Sequence, residues 1–335
     1  MHTPYRAKTF AQIAAITVAL FSQSAWAGDA PQIKAGALLF AHYGVDISEQ
    51  PTEEFAEGDP RPNEFDIDRV YLNFKTKIDD TFSARITTDV GRTNDKKLEL
   101  FLKYAYLQVK ASDDIKVRFG SAGNPQVGFS DKFWGQRWLA KSFTDQEKIL
   151  SSADVGVHAL GEHADGLFGW STALVNGEGY GNPEADAAKA AELRLTVDPL
   201  HGDIKLPISI FASRDVFTHE DIDPTTTLVA SIGFAQEYVD VWGEYVTDTT
   251  GELDGAGLST NMVAKVPDLF NVVVRYDMWD PDTETDVDAH ATIRAGLTKD
   301  FAKKISAGVI YEQTREETDM DNPSKGIFLR MQAGY

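Results

Sequence analysis

The chain has 335 residues and carries 52 acidic against 32 basic side chains, so its formal net charge at pH 7 is −20. Such an acidic chain is a poor candidate for binding nucleic acid by general electrostatic attraction. The sequence contains no cysteine, which excludes disulfides, thiolate metal sites, cysteine nucleophiles and lipid attachment at a cysteine. The length suffices for one large all-β domain or two smaller domains.

The first 27 residues are typical of a secretory signal peptide. Arg6 and Lys8 precede a mainly apolar run, and Ala25-Trp26-Ala27 supplies a small-x-small cleavage pattern. The apolar run is short and interrupted by glutamine, so a membrane-anchoring helix is the weaker interpretation. We therefore expect export through the inner membrane, removal of residues 1–27, and a single domain formed by residues 28–335.

Period-two alternation of apolar and polar residues dominates the rest of the chain. In the run VYLNFKTKI, for example, apolar side chains alternate with Tyr71, Asn73, Lys75 and Lys77, a pattern that predicts a β-strand with two unlike faces. Most predicted strands have about the 9–11 residues that a tilted strand needs to cross a bilayer. Sixteen strands are predicted, near residues 35–44, 65–78, 81–91, 98–111, 114–120, 153–162, 167–175, 190–198, 205–213, 227–235, 237–247, 257–266, 269–279, 287–299, 303–313 and 325–335.

The predicted connections alternate in length along the chain. Those after even-numbered strands are tight, as at Asp79-Asp80, whereas those after odd-numbered strands are longer on average, as at 121–152 and 248–256. Short turns at one end and long loops at the other are the layout of an outer-membrane barrel. Polar side chains on the inward face require a water-filled interior and lipid outside. The sequence therefore predicts a single all-β domain, a 16-stranded antiparallel transmembrane β-barrel.

Four runs of residues resemble general bacterial porins, and most closely the branch that includes the phosphate-selective porins O and P. They are FDIDRVYLNFKTKIDDTFSARITTDVG, LKYAYLQVKASDDIKVRFGSAGNPQVGF, SSADVGVHALGE and ALVNGEGYGNPE, within residues 60–185. The resemblance implies a sixteen-stranded barrel, a homotrimer, and a third external loop that folds inward and narrows the pore. The last strand ends on Tyr335, which resembles the C-terminal signal read by the outer-membrane assembly machinery. No catalytic residue, cofactor or metal site is expected.

The link at 121–152 is the third long loop, and it contains five large aromatic residues among several bases. So many aromatic side chains need burial, and we expect Phe133, Trp134 and Trp138 to anchor the loop on the barrel wall. The spacing of Trp134, Trp138 and Lys141 predicts a short helical turn. An external loop with a solvated helix is the alternative. The charged residues expected at the pore constriction are Lys132, Arg137, Lys141, Asp145, Glu147 and Lys148.

A second group of bases is expected on the pore wall, on the polar faces of strands 2–5. Its members are Arg69, Lys75, Lys77, Arg85, Lys116 and Arg118, with Lys103 on a strand whose register the pattern leaves open. Charges at the narrowest point bias which ions pass, so these bases favour anions. The acidic outer loops would instead attract cations to the mouth, although salt screens charges beyond about 8–10 Å. We expect a weak preference for anions such as phosphate.

These observations predict a porin of the outer membrane that admits small hydrophilic solutes by passive diffusion and is not an enzyme. The expected partners are further copies of the chain, the lipid bilayer, lipopolysaccharide bridged by divalent cations, the assembly machinery, and small ions and solutes. Nucleic acid is not expected. Two alternatives stay open: a plugged barrel that acts as an adhesin or structural protein, and a secreted soluble β-protein such as a carbohydrate-binding sandwich.

Overall fold

The computed structural model describes residues 32–48, 63–92, 97–218, 223–285 and 287–335. The predicted signal peptide and most of the first external loop lie outside the described residues. Within them, sixteen antiparallel strands form one closed barrel, in which consecutive strands pair and β1 also pairs with β16. The predicted sixteen-stranded antiparallel barrel is confirmed, and a soluble β-sandwich is wrong because the sheet closes on itself.

The strands lie close to the predicted positions and are mostly somewhat longer. They are β1 Gln32–Asp46, β2 Asn63–Lys77, β3 Phe82–Arg92, β4 Leu98–Lys110, β5 Ile115–Gly123, β6 Ala153–His163, β7 Phe168–Val175, β8 Lys189–Val197, β9 Ile208–Val216, β10 Thr225–Ala235, β11 Val239–Thr250, β12 Leu253–Val266, β13 Phe270–Asp280, β14 His290–Ala302, β15 Ile305–Glu316 and β16 Ser324–Gly334. Two short helices, α1 Val127–Trp134 and α2 Phe143–Gln146, lie between β5 and β6. In the part of the chain that the structure describes, no helix is long and apolar enough to cross a membrane.

Successive side chains of each strand point to opposite sides of the barrel wall. In β10, Val229 faces inward and is 2% exposed, whereas its neighbour Leu228 faces outward and is 51% exposed. In β13, Arg275 is buried inside and Tyr276 is exposed outside. The outer surface is therefore apolar and the interior is largely polar, as expected of a barrel whose outer face contacts lipid and whose interior contains water.

The two ends of the barrel differ in the length of their connections. At one end, which we call the turn end, tight turns join the strands; the Ile78 amide, for example, donates to the Phe82 carbonyl at 3.0 Å. The other end, the loop end, carries the longer connections. One predicted long connection, 248–256, is wrong, because only Gly251 and Glu252 separate β11 from β12. Gly251 adopts a φ of 62°, a left-handed conformation that glycine tolerates without a steric cost.

A β-bulge fixes the register of β4. Thr87 pairs with Tyr104 and Thr88 pairs with Leu102, so Lys103 is the extra residue between them. The bulge allows both Lys103 and Tyr104 to contact the interior, and only 3% of Lys103 is exposed. The sequence pattern leaves the side of Lys103 open; in the structure it lies within the barrel.

Candidate functional site: a constriction beside an inward loop

Residues 124–152, which we call the inward loop, connect β5 to β6 and pass through the interior of the barrel. One apolar cluster joins Trp134, Trp138 and Leu139 of this loop to side chains from five strands, namely Phe40, Tyr71, Val263, Val273 and Ile310. A second cluster joins Val127, Phe143 and Leu150 of the loop to Phe211, Val229, Val246 and Trp279. The loop is therefore folded into the barrel, and the alternative of a solvated external loop is wrong.

The helix within the inward loop ends earlier than its aromatic spacing predicts. α1 stops at Trp134, and Gly135 follows in a left-handed conformation with its amide donating to the Asp131 carbonyl at 3.0 Å. Trp138 and Lys141 therefore do not continue the helix of Trp134, so the predicted helical turn through these three residues is wrong. The chain reversal at Gly135 still places both tryptophans in the first cluster, where each is 2% exposed.

Phe133 has a different aromatic neighbour from the two tryptophans. Its ring stacks on that of Trp242 in β11, with 4.9 Å between ring centroids and 11° between planes. Phe129 contacts Trp242 edge to face at 5.6 Å, and the Arg194 guanidinium lies 4.1 Å from the centre of the Phe129 ring. The three side chains predicted as anchors are thus packed against side chains of the barrel wall.

Polar contacts attach the same loop to strands β8, β11 and β14. Asn124 donates to Glu192 at 2.7 Å, and the Arg194 guanidinium donates to the Pro125 carbonyl at 3.1 Å. Ser130 donates to Glu244 at 2.8 Å. Glu147 is one of the residues predicted to lie at the pore constriction. Its carboxylate accepts a hydrogen bond from His290 at 2.9 Å. The loop is therefore held along one side of the barrel.

Arg275 provides a further attachment from β13, and the sequence analysis did not single it out. Its guanidinium donates to the Lys141 carbonyl and lies 5.1 Å from the centre of the Trp134 ring. Asp277 accepts hydrogen bonds from both Arg275 and Arg294 at 2.8 Å. The sequence shows that polar residues alternate along β13, which predicts that Arg275 faces the interior. This pattern alone does not indicate which of the polar residues contacts the loop.

Two cavities lie between the inward loop and the part of the wall formed by β16 and β1–β4. The loop-end cavity has a volume of about 260 Å³ and the turn-end cavity about 400 Å³. Both are lined by Phe40, Tyr71, Arg137 and Trp138. These four residues therefore mark the boundary between the cavities, and we call them the constriction.

Basic side chains outnumber acidic ones in both cavities. Among the described residues, the loop-end cavity is lined by Arg69, Arg92, Arg137, Lys141 and Arg330 against Asp66 and Asp68. The turn-end cavity is lined by Arg85, Lys103, Lys132 and Arg137 against Asp131. A chain that is acidic as a whole thus has a mainly basic lining around its constriction.

Arg137 lies at the centre of an ion-pair network within the inward loop. Its guanidinium donates to Asp131 at 2.7 and 2.9 Å and to Asp145 at 2.7 Å, while the Lys141 ammonium is 3.9 Å from Asp145. Burial alone would raise the pKa of Asp145, but the charges of Arg137 and Lys141 outweigh it and hold that pKa below its ordinary value. Burial lowers the pKa of Lys141, and Asp145 opposes this effect. The charge of Arg137 is therefore largely matched by its own neighbours.

A second network lies on the wall opposite and includes two residues that sequence reasoning missed. Asp89 is fully buried, and its carboxylate accepts from Arg69 at 2.9 Å and from the Tyr180 hydroxyl at 3.0 Å. Lys103 is 4.0 Å from the same carboxylate. Asp89 lay on a predicted polar face, but nothing in the sequence indicated that Tyr180, 91 residues away, would reach it.

The remaining predicted site residues lie farther towards the ends of the barrel or at its inner wall. Arg118 donates to Gln108 at 3.0 Å, and Lys75 pairs in register with Arg85. Lys77 forms an ion pair with Asp80 in the β2–β3 turn, and Lys116 is exposed near the β4–β5 turn. In the inward loop, Lys132 and Lys148 are exposed. Tyr335 is 79% exposed at the turn end, where its amide donates to the Ala37 carbonyl.

A third cavity of about 870 Å³, the vestibule, lies at the loop end and is lined by both β1–β2 and β15–β16. It shares Asp66 and Arg92 with the loop-end cavity. Its charged lining among the described residues consists of Asp46, Glu64, Asp66 and Glu312 against Arg92 and Lys325, with His42 beside them. The lining thus changes from mainly acidic in the vestibule to mainly basic at the constriction.

Solved structures of other proteins share this fold. No family model matches the chain, and no curated protein does. An anion-selective porin from Comamonas acidovorans is 8% identical, with 91% of this chain and all of that chain covered at a TM-score of 0.65. The outer membrane channel DcaP of Acinetobacter baumannii is 11% identical over 93% of this chain and all of that chain, with a TM-score of 0.62. A trimer form of OmpT, an outer membrane protein of Vibrio cholerae, is 13% identical over 92% of this chain and all of that chain, with a TM-score of 0.59. At these identities the likeness shows the fold, and the predicted outer-membrane barrel fold is confirmed.

Proposed function

We propose that this protein is a porin of the outer membrane, through which small hydrophilic solutes diffuse passively with a preference for anions. The observation that carries the proposal is the basic lining of the two cavities that meet at Phe40, Tyr71, Arg137 and Trp138. Charges at the narrowest part of a water-filled pore act on permeating ions with little screening, whereas charges at a wide mouth are screened within about 8–10 Å. The basic constriction therefore outweighs the acidic vestibule.

The fold neighbours supply supporting context for the channel and for its assembly. One is described as an anion-selective porin, one as an outer membrane channel and one as a trimer form. We propose the same homotrimeric state here, together with export by a cleaved signal peptide, contact with lipopolysaccharide and recognition of Tyr335 by the assembly machinery. Descent from the phosphate-selective branch is part of the proposal, as a statement of lineage and not of phosphate specificity, and rests on the quoted runs within residues 60–185.

The test is single-channel recording of the purified protein in a planar bilayer with a KCl gradient across it. We expect steady open steps and a reversal potential whose sign reports that chloride is more permeant than potassium. A plugged barrel with an adhesive or structural role would give no steady open steps. Cation selectivity would show that the vestibule, not the constriction, sets the sign.

A further inference from the structure

The turn-end cavity combines apolar walls with its basic side chains. Phe40, Tyr71 and Trp138 form one part of the lining, and Leu38 and Tyr104 extend it along β1 and β4. The rings of Phe40 and Tyr71 meet edge to face, with centroids 5.8 Å apart and planes at 80°. Phe40 and Trp138 belong to the first apolar cluster, so these walls are fixed in place by packing.

Arg85 contributes a cationic group to this cavity. Its Nε donates to Thr87 at 2.9 Å and its Nη2 donates to Asn73 at 2.8 Å. Within the described residues, its Nη1 atom has no hydrogen-bond partner and no carboxylate forms an ion pair with it. The guanidinium also lies 4.3 Å from the centre of the Tyr104 ring, which holds it beside an aromatic surface.

Lys132 adds a second available cation on the loop side of the cavity. It is exposed and lines the same space as Arg85. Among the described residues of the lining, the acidic side chain is Asp131, which already accepts two hydrogen bonds from Arg137. The cavity therefore presents positive charge from both the wall and the loop, next to aromatic rings.

This combination discriminates between classes of anion. A strongly hydrated inorganic anion such as phosphate loses solvation against the ring faces and can regain hydrogen bonds there only from the tyrosine hydroxyls and the polar side chains beside them. A carboxylate attached to a flat apolar ring places its charge at a guanidinium and also removes apolar ring surface from water, and both changes favour binding. Aromatic rings favour edge-to-face or offset contacts, and Phe40 and Tyr71 already meet each other edge to face.

We propose that the turn-end cavity is a transient binding site for small carboxylates that carry a flat apolar ring, and that it favours them over acetate and inorganic phosphate. The inference rests on the proposed anion channel and names the class of solute that the channel favours. The carboxylate contacts Arg85 and Lys132, and the ring contacts Phe40, Tyr71 and Tyr104.

The test measures reversal potentials of the full-length channel in gradients of sodium benzoate, sodium acetate and sodium phosphate, each compared with sodium chloride. Benzoate diffuses more slowly than acetate in water because it is larger, so a pore without the site gives a benzoate-to-acetate permeability ratio below one. The site raises that ratio above one. Millimolar benzoate added to a chloride solution also increases current noise, because bound benzoate interrupts the chloride current.

Two variants alter the aromatic wall in opposite directions. Phe40→Leu removes one ring and lowers the benzoate-to-acetate ratio by about two- to tenfold, the range expected for one aromatic contact. Leu38→Phe adds a ring and raises the ratio, which keeps the proposal testable if Phe40→Leu disturbs folding. Phe74→Leu is the matched control, since Phe74 is 45% exposed on the outer face of the neighbouring strand and its loss leaves the ratio unchanged.

The outcomes separate this inference from the proposed function. Anion preference in KCl together with a benzoate-to-acetate ratio below one overturns the aromatic site and leaves the anion channel standing. A phosphate permeability above that of benzoate does the same and favours the phosphate-selective branch. Cation preference in KCl overturns the proposed function first, and the carboxylate site with it.

Discussion

Arg275 in β13 donates a hydrogen bond of 2.5 Å to the backbone carbonyl of Lys141 in the inward loop. The two residues are 134 positions apart in the sequence, and Arg275 is itself held by Asp277. The contact fixes the loop segment that continues from the constriction into α2. Arg275 lines neither of the two cavities. Its contact with Lys141 nevertheless helps to fix the distance between the inward loop and the opposite wall.

Replacing Arg275 by glutamine is expected to loosen the inward loop and widen the constriction. Removing one partner of a buried ion pair costs about 3–5 kcal/mol, and the lower end applies because Arg294 still pairs with Asp277. We expect larger and noisier single-channel conductance with weaker anion preference. Arg214→Gln, an exposed arginine that donates to Thr226, is the matched control. Unchanged conductance in Arg275→Gln would show that the other attachments suffice.

Replacing Asp89 by asparagine is expected to strengthen anion preference. Asp89 is the buried carboxylate that accepts from Arg69 and Tyr180, so its loss removes a negative charge beside the constriction while keeping the side-chain shape. The reversal potential in a KCl gradient should move further towards the chloride value. Asp113→Asn changes the same charge in an exposed turn pair with Lys110 and should leave the potential where it was. A shift towards potassium in Asp89→Asn would refute the electrostatic account.

Arg137 and Lys132 should respond differently to reversal of their charge. Lys132 is exposed at the turn-end cavity, so Lys132→Glu should shift the reversal potential towards cations and leave the loop in place. Arg137→Glu instead puts a third carboxylate next to Asp131 and Asp145, and we expect it to release the loop and raise conductance. The charge swap Arg137→Glu with Asp131→Arg should restore part of the original, smaller conductance. Equal effects of the two single variants would contradict the assignment of Arg137 to the loop's own network.

Strand alternation together with the alternating lengths of the connections predicted the barrel, because one face of every strand contacts lipid and the other contacts the interior. Local pattern failed where the chain departs from period two. The bulge at Lys103 is such a departure, since it brings two consecutive residues to the interior. The turn at Gly251-Glu252 is a second such place. The glycine and acidic residues around it predict a long loop, whereas β11 and β12 stay paired up to Thr250 and Leu253.

The position of the inward loop was predicted from its aromatic residues, but its contacts were not. Hydrogen bonds such as Tyr180 to Asp89 and Arg275 to Lys141 join segments 91 and 134 residues apart. Closure of the barrel brings them together, and no spacing in the sequence encodes that approach. The sequence also suggested that Arg137 offers its charge to solutes, whereas two aspartates that are close in the sequence take most of it.

The pH response of the channel should follow Asp145, whose side chain pairs with Arg137 and lies near Lys141. Burial opposes ionisation of Asp145, but the two cations outweigh burial and hold its pKa below the ordinary 3.8. A carboxyl group whose pKa is lowered by folding stabilises the folded state fully above the unfolded pKa, and this contribution is lost as pH falls through the folded pKa. The channel should therefore keep its conductance from neutral pH down to 3.8, and the inward loop should loosen only below that value.

Recordings over a descending pH series would check this expectation, with Asp145→Asn as the comparison. Asparagine keeps the size of the side chain but cannot carry its charge, so this variant should show the noisier, larger conductance already at neutral pH. Asp80→Asn, in the exposed β2–β3 turn where Asp80 pairs with Lys77, serves as the control and should match the unmodified channel. A conductance change between about pH 5 and 8, where histidine changes charge, would instead assign the response to the contact between His290 and Glu147. Because that contact attaches the loop to β14 while Asp145 acts within the loop, the pH of the transition identifies which attachment fails first.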